Sequence, residues 1–434
     1  MRDTGPLHPL ARLPEDWEAA LRQAGERPFR AKQVFRWVHA RGVVDPAQMS
    51  DLPAALRERL AAEGLGPAAA VASVRKSLDG TRKLLVTMGD GATVESVLIP
   101  GVTGPRPTEL LDADAAAADD EDDDEGEGGG VGRGGGGPGG GAERAGGGPG
   151  GGAERAGGGS GGGAEQAGGV GASGAGAGGP VRVSQCISTQ VGCAMGCVFC
   201  ASGVAGLKRH LRPEEIVAQV LLGRALLAPG EALRNVVLMG MGEPLHNYEA
   251  TARALRLLTH PEGIALSSRR VTLSTSGLVP EIDRLGADFH GQIGLAISLH
   301  ATDDEARSRL MPINRKYPLA ELMAALARYP LPPRRRITIE YTLVQGRNDG
   351  LDQARRLVRL LAGLRVKVNL IPMNPIDAST LGPPDRGRVE AFQRVLTDAG
   401  LSAFVRKRRG DDVAAACGQL ALRGERPKVR VERN

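Results

Sequence analysis

The chain has 434 residues, enough for one large domain and a smaller one, with 24% charged residues and a formal net charge of +5. No run approaches the roughly 18 consecutive apolar residues of a membrane span, and Met1-Arg-Asp-Thr-Gly-Pro6 lacks the pattern of a secretory signal. Export and membrane insertion are therefore not expected, and five cysteines in so long a chain suit the reducing cytoplasm, where thiols serve as ligands or reactive groups.

The charge is unevenly spread. Residues 101–180 hold 14 acids against four arginines, a balance of −10, which leaves +15 on the remainder. So basic a remainder suits a polyanion such as nucleic acid, although an arginine-rich composition from a GC-rich genome would look the same. With 3% aromatics, no stacking platform for single-stranded bases is visible.

Residues 12–65 read as helices. Leu13-Pro-Glu-Asp-Trp17 opens one, with Pro14 and two acids in its first turn. A second runs through Pro28–Trp37, with Phe29, Val34, Phe35 and Trp37 partly on one face, and a third from Ser50 to Leu60. Residues 70–100 alternate as strands around a turn at Asp79-Gly80. Glu95 interrupts the last of them, Thr93–Pro100, where an acid is ordinarily an outward strand residue.

From 101 to 180 the composition breaks. Thirty-three of these 80 residues are Gly, Asp119–Glu125 is wholly acidic, and an 11-residue unit, G-G-G-[PS]-G-G-G-A-E-[RQ]-A, recurs with Pro138, Pro149 and Ser160 in register. Nothing larger than Ala in the unit can be buried, so the expectation is a disordered insertion rather than a solenoid.

From 181 onward strand and helix alternate about six times. The expected strands are Val181–Ser188, Asn235–Met239, Arg270–Ser274, Gly294–Leu299, Arg336–Leu343 and Val366–Ile371, with helices such as Pro213–Leu227 between them. The class is α/β, a parallel sheet or partial barrel. Its unusual polar residues, Glu243, Ser274, Ser298, His300 and Asn374, fall at the carboxyl ends of strands, where parallel barrels gather their sites. Singly, each of them also reads as a cap, a turn residue or a satisfied strand-end group.

Cys193-Ala-Met-Gly-Cys197-Val-Phe-Cys200 stands at the same edge. Three thiolates in eight residues converge on one metal centre at little entropic cost. A closed structural zinc site needs four ligands, and no obvious fourth lies nearby. A [4Fe-4S] cluster on three thiolates leaves one iron open to a small molecule. Cys417, set among alanines in Gly410-Asp-Asp-Val-Ala-Ala-Ala-Cys417-Gly-Gln-Leu, reads by itself as a buried small hydrophobe.

The C-x3-C-x2-C run with Phe199 before its last Cys resembles the radical S-adenosylmethionine (SAM) enzymes. Cys186-Ile-Ser-Thr-Gln-Val-Gly-Cys193, Gly240-Met-Gly-Glu243-Pro-Leu, Ser274-Thr-Ser-Gly277, Ser298-Leu-His300-Ala and the Cys417 segment narrow this to a resemblance to the RlmN family. It covers roughly residues 12–100 and 181–421. The resemblance implies a partial (βα)6 barrel at 181–421, a helical RNA-holding accessory domain at 1–69, connecting strands at 70–100 and a basic tail at 422–434. It implies a methyltransferase acting on C2 of adenosine in 23S rRNA and tRNA, supplied with electrons by a flavodoxin-like donor and consuming two SAM per turnover. Cys193, Cys197 and Cys200 would hold the cluster, and Gly242, Glu243, Ser274, Ser298, Leu299, His300 and Asn374 would contact SAM. Cys417 would carry the methyl group to the RNA, Cys186 would resolve the covalent RNA adduct through a disulfide, and Glu95 would act as base.

The sister Cfr group, which methylates C8, shares every thiol named. An iron–sulfur RNA-binding protein without chemistry would leave Cys186 and Cys417 without a task, and a radical activase of proteins would not need the basic surface. The family pattern has only a short connection where the Gly-rich insertion stands. Residues 104–178 should be the first cleaved in limited proteolysis, and a version with a short linker there should still fold and methylate RNA. Unfolding on deletion would show the segment to be structural.

Overall fold

The computed structural model describes residues 7–101, 179–376 and 380–420. The repeats of the Gly-rich insertion and the basic tail lie outside the described residues. Residues 7–101 and 180–420 fall in one compact unit.

Three helices open the chain: α1 (Pro14–Gln23), α2 (Phe29–Phe35) and α3 (Ala54–Ala62). The first starts at Pro14, whose missing N–H costs nothing there, and the Asp16 carboxylate accepts the Leu13 N–H at 2.8 Å. A π-helical turn, Arg36–Ala40, extends α2. Trp17, Leu21, Val34, Phe35, Leu56 and Leu60 are buried together. These helices lean on the rest of the unit through polar contacts: Arg224 donates to the carbonyls of His39 (3.1 Å) and Ala40 (3.0 Å), and Arg36 pairs with Glu262 at 3.0 Å. His39, fully buried against Phe35, is held neutral by that burial, its pKa pulled down to about 3.

Three strands follow, β1 (Ala69–Lys76), β2 (Arg82–Met88) and β3 (Thr93–Pro100), as an antiparallel meander. It continues directly into β4 (Val181–Cys186), with Val97 opposite Cys186 and Pro100 opposite Val183. A two-stranded ribbon, β5 (Gln190–Gly192) and β6 (Leu207–His210), stands apart. The parallel strands are β7 (Glu231–Leu238), β8 (Val271–Thr275), β9 (Gly294–Ser298), β10 (Ile337–Leu343), β11 (Val366–Pro372) and β12 (Ala403–Val405), each beside its predecessor, with β7 beside β4.

One sheet of ten strands, β1-β2-β3-β4-β7-β8-β9-β10-β11-β12, is the result: antiparallel at one side and a parallel partial barrel through the rest. The six expected strands are all present. Strand β12 extends the parallel run, and its three residues are too few to show a period in the sequence. Helices α5 (Pro213–Ala225), α6 (Tyr248–Thr259), α7 (Val279–Phe289), α8 (Asp304–Leu310), α9 (Leu319–Arg328), α10 (Leu351–Leu360) and α11 (Arg386–Asp398) connect the strands, after a short α4 (Ala201–Ala205) behind the cysteine loop. No helix among the described residues is long and apolar enough to cross a membrane.

The ends of the insertion are held side by side, since Gly101 N–H donates to the Arg182 carbonyl at 2.7 Å. Closure entropy rises only by about 0.6 kcal/mol for each doubling of loop length. A long segment between two strands already paired is therefore cheap to carry. Trp17 is fully buried, and Trp17→Ala should destabilise the helical end by roughly 3–5 kcal/mol. Thermal unfolding followed by circular dichroism checks this; an unchanged transition would mean that the indole is not part of the folding unit's core.

Candidate active site

The loop 193–200 is tied down by its backbone. Cys193 N–H donates to Gly206 O (3.1 Å), Val198 N–H to Leu310 O (3.1 Å), Cys200 N–H to Cys197 O (3.2 Å) and Ala201 N–H to Gly418 O (2.8 Å). Ala301, Ala306, Leu310 and Met311 pack against Cys197, Val198 and Phe199. Burial pushes the Cys193 thiol up to about 12, raises Cys200, and raises Cys197 further with added repulsion from Cys200 and Cys193. Cys200 acts on both Cys193 and Cys197, so the three thiols lie close together.

Without a metal they hold their protons, so binding must release them. Among the described residues no three His, Cys, Asp or Glu side chains are gathered closely enough to ligate a single ion. A four-iron, four-sulfide cubane spreads its thiolates wider than one ion does, and three soft sulfur donors on one loop suit it. The donor set fits a [4Fe-4S] cluster.

Glu243 follows β7 and is buried; its carboxylate accepts from Ser276 N–H (2.7 Å) and Leu245 N–H (3.1 Å). It therefore caps the turn Pro244–Asn247 while lying close enough to Cys193 and Cys197 to raise both. Burial raises Glu243 itself, against the hydrogen bonds from Ser276. Gly242 has φ +105°, and a Cβ there would lie 2.6 Å from the Gln190 Cβ, so no other residue fits. Ser274 Oγ donates to Glu340 Oε2 at 3.1 Å.

Ser298 and Leu299 present carbonyls to Arg307 at 3.1 Å each, and the Leu299 side chain is buried. His300 sits in the left-handed region (φ +57°), accepts Thr342 N–H on Nδ1 at 2.8 Å and meets the Phe199 ring edge-on at 4.7 Å. Burial lowers its pKa to about 3, so it is a neutral brace behind the cysteine loop. Asn374 Nδ2 donates to Cys417 O at 2.9 Å, while its Oδ1 is buried with no partner.

After β12 the chain returns to the opposite side of the sheet. Gly410 N–H donates to Asp79 Oδ2 (3.0 Å), Asp412 accepts from Ser77 Oγ (2.5 Å) and Leu78 N–H (3.2 Å), and Lys83 Nζ donates to Ala414 O (3.2 Å). Gly410 has φ +63°, and a Cβ there would lie 2.7 Å from Ala415 and 3.0 Å from Thr81. Further along, Ser202 Oγ donates to Leu420 O. The segment 410–420 thus runs from the β1–β2 hairpin to the cysteine loop, bringing Cys417 to the mouth.

Cys186 ends β4. Burial and then the Cys417 thiol push it up to about 12, with Arg406 opposing. The two cysteines stand 231 positions apart in sequence. All five cysteines are free here, so the disulfide that the resemblance implies is not present in this structure. Glu95 is buried and pairs with Lys83 at 2.9 Å.

Four contributors escaped the sequence reading. Glu340, in the middle of β10, is buried and raised by burial, with Arg406 at 3.7 Å. An acid inside a strand buried along its whole length was the available signal. Lys83, Asp79 and Asp412 resemble ordinary surface charges until the loops meet.

A parallel barrel edge that gathers a C-x3-C-x2-C loop beside capped acids and strand-end hydroxyls is the arrangement of a radical SAM enzyme. Residues 187–360 match the model of the Radical SAM superfamily, and residues 14–64 match that of the ribosomal RNA large subunit methyltransferase N-terminal domain. The dual-specificity RNA methyltransferase RlmN of Sorangium cellulosum (strain So ce56) is 66% identical over 430 residues, 99% of each chain. Its counterpart from Syntrophobacter fumaroxidans is 39% identical over 406 residues, 94% of each. A crystal structure of a radical SAM methyltransferase from Sphaerobacter thermophilus superposes with a TM-score of 0.74 at 36% identity, covering 96% of this chain and 99% of that one. The chain belongs to the RlmN family of dual-specificity RNA methyltransferases.

Protein purified without oxygen should carry about four irons per chain, as one [4Fe-4S] centre requires. Cys193→Ala, Cys197→Ala or Cys200→Ala should each lose most of that iron with an unchanged far-ultraviolet circular dichroism spectrum. Full iron retention in any of the three would remove that residue from the ligand set.

Proposed function

We propose that this enzyme methylates C2 of adenosine in 23S rRNA, at the peptidyl transferase centre, and in tRNA, with Cys417 carrying the methyl carbon and Cys186 releasing the product. The observation that carries the reading is the meeting of Cys417, Cys186 and the cysteine loop at one mouth from distant parts of the chain. A [4Fe-4S] cluster on Cys193, Cys197 and Cys200, with two SAM molecules per turnover, would supply the methyl group and the radical chemistry that an unreactive aromatic carbon demands.

The remaining tasks fall to side chains. Glu243 is raised by burial and gains by accepting from a cationic amine, as the SAM amino group offers. Asn374 Oδ1, buried and unpartnered, has an acceptor to give. Ser274 and Ser298 supply hydroxyls at the same edge, and Gly242 lets the backbone come close. His300 and Leu299 hold the strand end in place.

Cys417 accepts the methyl group on sulfur; the S-methyl then gives up one hydrogen atom to the radical that the second SAM would supply, and its carbon bonds to adenine C2, leaving RNA attached through a thioether methylene. Glu95, oriented by Lys83, takes the proton from the adenine carbon, and the one electron released as the ring regains its aromaticity would return to the cluster. The Cys186 sulfur then attacks the Cys417 sulfur. An S–S bond forms as the S–CH2 bond breaks, and the electron pair on the methylene takes a proton to become the product methyl. Two electrons from a cellular reductant restore both thiols, which suits the cytoplasm. Polyanionic RNA suits the basic balance outside the insertion, and the helices of residues 14–64 are read as holding it.

Cys186→Ala should complete the addition and stall, leaving RNA covalently bound as a slow band on a denaturing gel. Cys417→Ala, and the double variant, should give no such band. Free methylated RNA from Cys186→Ala at the wild-type rate would end the resolving role. Mass spectrometry that places the methyl on C8 would assign the chain to the sister reaction.

A further inference from the structure

Arg307 lies on α8 with no exposed surface. Its guanidinium makes four hydrogen bonds: Nε to Leu299 O (3.1 Å), Nη1 to Asn314 Oδ1 (2.9 Å), and Nη2 to Ser276 O (2.7 Å) and Ser298 O (3.1 Å). Every acceptor is neutral. Buried arginines ordinarily face a carboxylate, because an uncompensated charge is costly away from water. The nearest acid along the helix, Asp304, spends Oδ1 on Asn314 Nδ2 (2.9 Å) and Leu319 N–H (2.8 Å).

The same helix forms one wall of the cysteine loop. Leu310 O receives Val198 N–H, and Ala306, Leu310 and Met311 pack against Cys197, Val198 and Phe199. The positive charge and the Cys197 thiol feel one another: the guanidinium works to lower the thiol, and the thiol and Asp304 hold the guanidinium up against burial. Arg307 is therefore a buried cation in want of an anion, and the anion-forming groups beside it are the loop's sulfurs.

We propose that Arg307 is the fixed counter-charge of the iron–sulfur centre on Cys193, Cys197 and Cys200, raising its reduction potential; this rests on reading those thiols as cluster ligands. Three thiolates around an oxidised [4Fe-4S] core leave one net negative charge. One electron from a low-potential donor makes it two, the donor being oxidised by one electron. A cation fixed close by stabilises the more negative state. The carbonyls at the ends of β8 and β9 aim the guanidinium, so the groups that line the SAM edge also set the charge behind the cluster.

The test is an anaerobic potentiometric titration of the full-length, cluster-loaded protein with dithionite, followed by electron paramagnetic resonance. Arg307→Gln should lower the one-electron reduction constant at least tenfold, about 59 mV more negative, whereas Arg307→Lys should stay near the wild type. Asp304→Asn, which keeps an Oδ1 acceptor and removes the competing negative charge, should move the potential the other way. Equal shifts in the Gln and Lys variants, or none in either, overturn the counter-charge. If Arg307→Gln does not fold, Asp304→Asn decides, and an unchanged or more negative potential overturns the inference. A wild-type protein with no reducible cluster signal would overturn the ligand reading itself.

Discussion

The pairing of β3 with β4 is the constraint from which the site follows. Four residue pairs, from Val97 opposite Cys186 to Pro100 opposite Val183, fuse an antiparallel hairpin to the first strand of a parallel barrel. That register puts Glu95 and Lys83 on the flank of the strand that ends in Cys186. The β1–β2 turn of the same meander, Ser77 to Thr81, is the polar ledge on which the Cys417 segment rests. A slip of one residue would turn every side chain of β3 to the other face, sending Glu95 away from Lys83. Ser96 resists such a slip, since its hydroxyl donates to the Cys186 carbonyl at 2.9 Å and accepts from Gln185 at 3.0 Å.

At the barrel mouth the protein buries groups that its own contacts leave incomplete. Asn374 Oδ1 has no hydrogen-bond partner, Glu243 is raised by burial, three thiols are held protonated, and Arg307 has only neutral acceptors. Each is costly to bury without a partner. Taken together they suit the proposed cofactors: an anionic metal centre, and a ligand with a cationic amine and polar edges. Preorganised groups of this kind stabilise a bound cofactor because they need not reorganise when it arrives.

The Cys417 segment is built on different terms. Its contacts with the hairpin are short polar ones around Gly410, Asp412 and Ala414, with modest apolar burial at Ala415 and Ala416. These bonds are partly buried and each has a charged partner, so each contributes about 1.5–3 kcal/mol. Such a segment is held in register against the hairpin, which suits the carrier role proposed for Cys417.

The sequence by itself determined the class of the fold, six of the parallel strands, the cysteine loop and the strand-end residues beside it. These are local matters. A strand shows its period within a few residues, and three thiols in eight positions can reach one centre whatever the rest of the chain does. It also pointed to Cys186 and Cys417, through their place in segments resembling a family, without a physical reason for them to meet. Only the tertiary structure decided that. Their approach needs the β3–β4 register, the return of the chain from β12 across to the hairpin, and the anchoring of Ala201 on Gly418. Arg307 and Glu340 were hidden for the same reason. A charged residue on a short helix or inside a strand looks like any other until packing removes its water, and what faces it then depends on loops that are remote in sequence.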